Sequence, residues 1–130
     1  NHDQYINNSR SILKAVGEYV YDNLKSNKIN INKPQGGFYL MPEFLIENFF
    51  TSKEMCSNIL EKTGVALLPG SDFGFSKERM IARLSFTDFN GREFMDYVKK
   101  NNKLDINSIS KFAPKIIEGT NKLKLWSETL

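Results

Sequence analysis

Apolar residues fall at helical spacing in four stretches of the chain, with short extended runs between them. Over residues 3–26, Leu13, Val16, Val20 and Leu24 share one face, with Ile12 and Tyr19 beside them, which predicts a helix of about six turns. Asn27, Asn30 and Asn32 break the pattern, and Pro34 rules out helix there. Gly36, Gly37, Phe38, Tyr39, Leu40, Met41 and Pro42 read as a short strand between glycine and proline punctuation. Thr51 with Glu54 forms a capping box ahead of a helix that buries Met55, Cys56, Ile59 and Leu60, and Gly64 is placed to end it in the left-handed region.

Val65, Ala66, Leu67 and Leu68 predict a compact buried strand, stopped by Pro69, Gly70 and Ser71, and residues 80–86 predict another. Asn90 reads as an N-cap with Glu93 behind it and a Phe89–Phe94 staple, opening a helix that carries Phe94, Tyr97 and Val98 and runs out at Asn101 and Asn102. The last helix has the cleanest stripe, Ile109, Phe112, Ile116, Thr120, Leu123 and Trp126, with Pro114 suited to a first turn. Helices and strands in this order predict an α+β layer: a small mixed three-stranded sheet covered by helices, with a long N-terminal helix.

The 130 residues make one domain of ordinary size, and 40% hydrophobic with 12% aromatic content supports a packed core rather than disorder. No apolar run approaches the ~18 residues of a membrane span. One cysteine, Cys56, forms no internal disulfide and reads as an inert buried thiol, and one histidine, His2, builds no metal cluster. The net charge of +3 is uneven. Residues 1–98 carry eleven basic and twelve acidic groups, whereas residues 99–130 carry seven lysines against three acids. Those lysines are interspersed with apolar residues, the pattern of solvated helix faces rather than of a nucleic-acid patch. The chain opens on Asn1 without an initiator methionine, so it is expected to be a piece of something longer.

Candidate chemistry concentrates on residues 80–86. Alternation sends Met80, Ala82, Leu84 and Phe86 to one apolar face and Ile81, Arg83 and Ser85 to the other. A guanidinium in mid-strand keeps its proton and needs an anion, which its planar fork grips best as a carboxylate or phosphate. Two plainer readings stand beside this: an ion pair with Asp72, Glu78 or Asp88, and an exposed edge strand. Arg79 is the weaker candidate, beside Lys77 and Glu78. Gly36 and Gly37 permit close backbone approach or a tight turn, and residues 69–74 form either an anion-binding nest or a loop.

Three motifs taken together carry a resemblance: Pro34, Gln35, Gly36, Gly37, Phe38 and Tyr39; then residues 64–74, Gly-Val-Ala-Leu-Leu-Pro-Gly-Ser-Asp-Phe-Gly; then Arg83, Leu84, Ser85 and Phe86. In order and approximate spacing they resemble the C-terminal small domain of class I/II aminotransferases, the aspartate-aminotransferase-like, fold type I enzymes that use pyridoxal 5′-phosphate. Residues 114–119 also resemble that family's last helix, so the likeness runs over essentially the whole chain. The resemblance implies that Arg83 grips the substrate α-carboxylate and that Phe38 and Gly37 lie near the substrate. It implies a parent enzyme that moves an amino group between an amino acid and a 2-oxo acid, cytoplasmic and homodimeric, with no nucleic-acid or membrane partner. The first helix would be the end of the one joining the two domains.

The Schiff-base lysine and the residues holding the cofactor would lie in a large domain that precedes this one and is expected to be absent from this chain, leaving it inactive alone. Between Gly74 and Arg83 the sequence departs from the family, since residues 75–79 carry no glycine. Ser108, Ile109, Ser110 and Lys111 mimic the lysine motif but follow the arginine instead of preceding it. Two other classes fit the residues: a stand-alone regulatory domain whose arginine binds an amino acid, and a nucleic-acid module stacking bases on Phe38 and Tyr39 beside the lysine-rich tail.

Overall fold

Helix α1, His2–Leu24, is the longest in the chain among the described residues and supplies one wall of the core. The computed structural model describes residues 2–32, 39–85, 91–101 and 106–130. On α1 the fully buried stripe is Ile12, Val16, Val20 and Leu24, and Leu13, expected at its start, is only partly buried. A strict four-residue step explains the shift, since it keeps Ile12 in line with Val16 and moves Leu13 round by about 100°. The helix packs against α3 (Gly91–Asn101) and α5 (Pro114–Glu128).

Past α1 the chain reverses through Asn27 and Lys28, closed by reciprocal backbone hydrogen bonds between Ser26 and Ile29 of 3.1 and 3.3 Å. A two-stranded ribbon follows, β1 (Ile29–Asn30) antiparallel to β3 (Glu43–Phe44), which the hydrophobic pattern did not announce. Strands this short carry no alternation long enough to read.

The main sheet has three strands in the order β2 (Tyr39–Leu40), β5 (Ala82–Ser85), β4 (Leu68–Pro69). Three strands were expected, but the sheet is not mixed: both pairings are antiparallel. The helical crossover between β2 and β4 would favour a parallel pair, yet β5 returns between them and runs against both. Residues 65–68 are also not a compact buried strand. Only Leu67 is buried, while Leu68 is 52% exposed, because the sheet covers the core with one face alone.

Helix α2, Ser52–Thr63, begins as expected. The Thr51 hydroxyl accepts from the Glu54 N–H at 3.2 Å, and the Glu54 carboxylate reaches back to the Phe50 N–H at 3.2 Å. Gly64 ends it at φ 77°, donating to the Leu60 carbonyl at 2.9 Å. Met55, Cys56 and Ile59 form its buried face, but Leu60 is 52% exposed, one position beyond the narrow seam that α2 turns to β4 and α5.

The last stripe is shared between two helices. α4, Ile106–Phe112, buries Ile109 and Phe112, and α5 begins after Ala113 with Pro114 in its first turn. Proline has no N–H to continue the helix before it. Aromatic side chains join the layers: Phe112 lies against Phe94 at 5.3 Å and Tyr97 at 5.2 Å, while Trp126 meets Phe44 edge-on at 5.7 Å and Phe49 at 6.0 Å. The Trp126 indole N–H donates to Asn58 Oδ1 at 3.0 Å, closing α5 onto α2. The described lysines of the basic segment are exposed on α3, α4 and α5, where Lys122 pairs with Glu118 and Lys111 lies over the rings of Tyr97 and Phe112. The expected cap at Asn90 and staple at Phe89 lie outside the described residues.

Between β4 and β5 the chain makes a 3-10 turn, Gly70–Phe73. Gly70 donates to the Ile81 carbonyl at 2.7 Å, and a Cβ there would stand 2.8 Å from both that oxygen and the Ile81 Cβ. Gly70→Ala is therefore expected to cost about 1–3 kcal/mol, read as a lower urea midpoint. An unchanged midpoint would mean that the turn gives way freely.

Candidate functional site

Register decides what the sheet offers. Arg83 stands opposite Leu68 on one side of β5, and Tyr39 stands opposite Ser85 on the other. Since alternate residues share a face, Arg83, Ser85, Leu68 and Tyr39 all project from the same side of the sheet. Ala82 and Leu40 lie buried on the opposite side, with Leu84 partly buried beside them. The core face expected from alternation is thus present, although Ile81, expected on the open side, is buried where it bridges to Glu43.

Arg83 sits on the central strand, so the edge-strand reading fails. It is half-buried, and among the described residues it forms no ion pair with Asp72 or Glu78; Asp88 lies outside them. Two rings hold it instead. The guanidinium carbon lies over Tyr39 at 4.2 Å and over Phe73 at 5.0 Å, distances at which a cation is drawn to a ring face. Tyr39 comes from the strand on one flank of β5, and Phe73 from the turn that leaves the strand on the other. Both rings remain well exposed, at 43% and 39%. The sequence alone ties neither ring to Arg83: the β2–β5 pairing that brings Tyr39 up joins positions some forty-five residues apart, and Phe73 arrives through a 3-10 turn with no apolar pattern of its own.

The turn carrying Phe73 is anchored from behind. Ser52 is fully buried at the start of α2, donates its N–H to the Lys77 carbonyl at 2.8 Å, and places its hydroxyl 3.4 Å from that of Ser71. Two of this turn's N–H groups are already engaged. The Gly70 N–H is spent on Ile81, and the Gly74 N–H, at φ 89°, on the Gly70 carbonyl. Arg79 is likewise engaged, gripping Glu43 through two hydrogen bonds of 3.0 and 3.1 Å that hold its pKa above the ordinary arginine value. Phe38 and Gly37, expected beside the substrate, lie outside the described residues.

Cys56 is buried on α2, where burial, with a smaller push from the negative charge of Asp72, raises its thiol from 9.0 to about 11. Only the thiolate reacts, so a thiol-specific disulfide reagent at pH 8 should modify Cys56 rapidly in denaturant and slowly in the native chain. The protonated thiol belongs to the folded state, so its stabilising share is present below pH 9 and is lost as pH rises toward about 11. Rapid native labelling at pH 8 would contradict this.

Ser108 is buried in α4, and the Lys111 ammonium lies 5.3 Å from the Phe112 ring centre. No cluster of three or more metal-ligating side chains occurs among the described residues, and no helix there is long and apolar enough to cross a membrane.

Residues 1–97 match the family model of class I and II aminotransferases. The chain is 44% identical over 78 residues to a probable N-acetyl-LL-diaminopimelate aminotransferase of Bacillus subtilis, covering 59% of this chain and 19% of that protein. It is 34% identical over 78 residues to an aspartate aminotransferase of Sulfolobus acidocaldarius, covering 57% and 20%. Among solved structures, an alanine aminotransferase from Pyrococcus furiosus shares the fold at a TM-score of 0.64 and 21% identity, over 92% of this chain and 25% of that one. An aromatic aminotransferase from Pyrococcus horikoshii does so at 0.63 and 19%, over 92% and 25%. The chain thus spans about a fifth to a quarter of the proteins it is similar to. With 97 of its 130 residues inside the family match, the chain belongs to the class I and II aminotransferases.

Proposed function

We propose that this chain is the C-terminal small domain of an aminotransferase that moves an amino group between an amino acid and a 2-oxo acid, and that its share of the work is to hold the substrate α-carboxylate at Arg83. One observation carries the reading. Arg83 is a half-buried arginine on the central strand, facing the open side of the sheet, with its charge matched by no carboxylate among the described residues. A cation so placed takes a planar anion through two parallel hydrogen bonds. Fixing one end of the substrate lowers the entropy cost of reaching the reacting geometry at the other.

Pyridoxal phosphate, the cofactor this family implies, supplies an electron sink for the carbanion. In this reading a separate large domain would hold it, and the 130 residues by themselves are inert. Phe38 and Gly37 border the same substrate in this reading, and the parent enzyme is a cytoplasmic homodimer. A stand-alone regulatory domain draws no support from the relatives, which carry aminotransferase names.

Borohydride reduction of the chain mixed with pyridoxal phosphate tests the domain assignment, since it locks any lysine-bound cofactor as a stable secondary amine. Intact mass and peptide mapping should find scattered, substoichiometric labelling. One stoichiometric adduct at a single lysine would mean a self-contained cofactor protein and overturn the reading.

A further inference from the structure

We propose that Tyr39 and Phe73 are positioning residues whose ring faces hold the Arg83 guanidinium as a preset receptor for one planar carboxylate, an inference that rests on the reading of Arg83 above. A free arginine side chain samples many rotamers, and a two-point grip on a carboxylate uses only the few that aim its fork correctly. Ring faces at 4.2 and 5.0 Å restrict that sampling without consuming the donors, because a ring face attracts the cation through its quadrupole and takes up none of the five N–H groups in a full hydrogen bond. Among the described residues the guanidinium makes no hydrogen bond or ion pair, so its donors remain for a ligand. Leu68, directly across the ladder and on the same face, adds apolar surface beside the fork, which strengthens a charge-assisted bond formed there. The two rings arrive from opposite flanks of β5, and the turn bearing Phe73 is fixed to α2 through Ser52, so the arrangement exists before any ligand arrives.

Arginine side-chain NMR of the 130-residue chain, titrated with sodium acetate against sodium chloride at matched ionic strength, separates the possibilities. Arg10 and Arg92, both exposed, serve as internal controls. In the wild-type chain the Arg83 side-chain protons should lie upfield from ring currents, and the Arg83 Nε–H should respond to acetate more strongly than those of Arg10 and Arg92. Tyr39→Phe should keep both signatures, whereas Tyr39→Leu and Phe73→Leu should lose the upfield shift and weaken acetate binding at least about threefold. Pentafluorophenylalanine at position 73 preserves ring volume while reversing the ring quadrupole, so it should behave like Phe73→Leu even if a leucine variant folds poorly.

Unchanged acetate affinity in the leucine variants or in the fluorinated one would overturn the role of the rings and leave the carboxylate reading of Arg83 standing. An Arg83 response no larger than that of Arg10 and Arg92 in the wild-type chain would overturn the carboxylate reading, and with it this inference.

Discussion

Trp126→Ala should lower the unfolding free energy of the chain by about 3–5 kcal/mol, the range for removing a large buried aromatic. Trp126 is 6% exposed and touches two elements and the loop between them: Phe44 of β3, Phe49 beyond it, and Asn58 of α2. Truncation opens a cavity and also strands the Asn58 amide oxygen, so the transfer and hydrogen-bond losses fall at one place. A domain of this size is stable by only about 5–15 kcal/mol, so the variant should begin to unfold at low urea. Trp126→Phe refills most of the volume and should recover more than half of the loss. A midpoint for Trp126→Ala within experimental error of wild type would mean that α5 does not hold the layers together.

Arg83→Ala carries the largest expected effect on activity. In the two-domain enzyme proposed above, losing one partner of a desolvated, hydrogen-bonded charge pair costs about 2–5 kcal/mol, roughly thirtyfold to several thousandfold in kcat/KM for an amino acid. Arg83→Lys should recover only part, because an ammonium offers a point charge in place of a planar fork. The decisive control is a primary amine that lacks the carboxylate, for which Arg83→Ala should change kcat/KM little. Equal losses for amine and amino acid would show that Arg83 acts on the fold and not on the substrate.

The long elements were legible because their signals are local. The α1 stripe, the Thr51 and Glu54 cap and the Gly64 terminus depend on residues within a turn or two of one another, and each forms where the sequence put it, except that Ile12 replaces Leu13 at the start of the stripe. Arg83 was legible as a cation needing a partner, since alternation within one strand is enough to place it opposite the core. Its surroundings were not. The antiparallel return of β5, the β1–β3 ribbon and the arrival of Tyr39 and Phe73 at one guanidinium all depend on long-range register, which no window of neighbouring residues encodes. The break at Ala113 was half visible: Pro114 marked a helix start, but the stripe through Phe112 and Ile116 hid the end of the helix before it.

The two faces of the three-stranded sheet also divide its mutational burden. Positions 40 and 82 are filled by the packed interior, and a change of even one methylene there is felt by the whole domain. Positions 68 and 85 retain solvent exposure, so they can vary with little penalty to folding, whereas positions 39 and 73 carry the rings that lie against Arg83. A combinatorial library can therefore change the open face beside Arg83 at positions 68 and 85 while the scaffold beneath stays untouched.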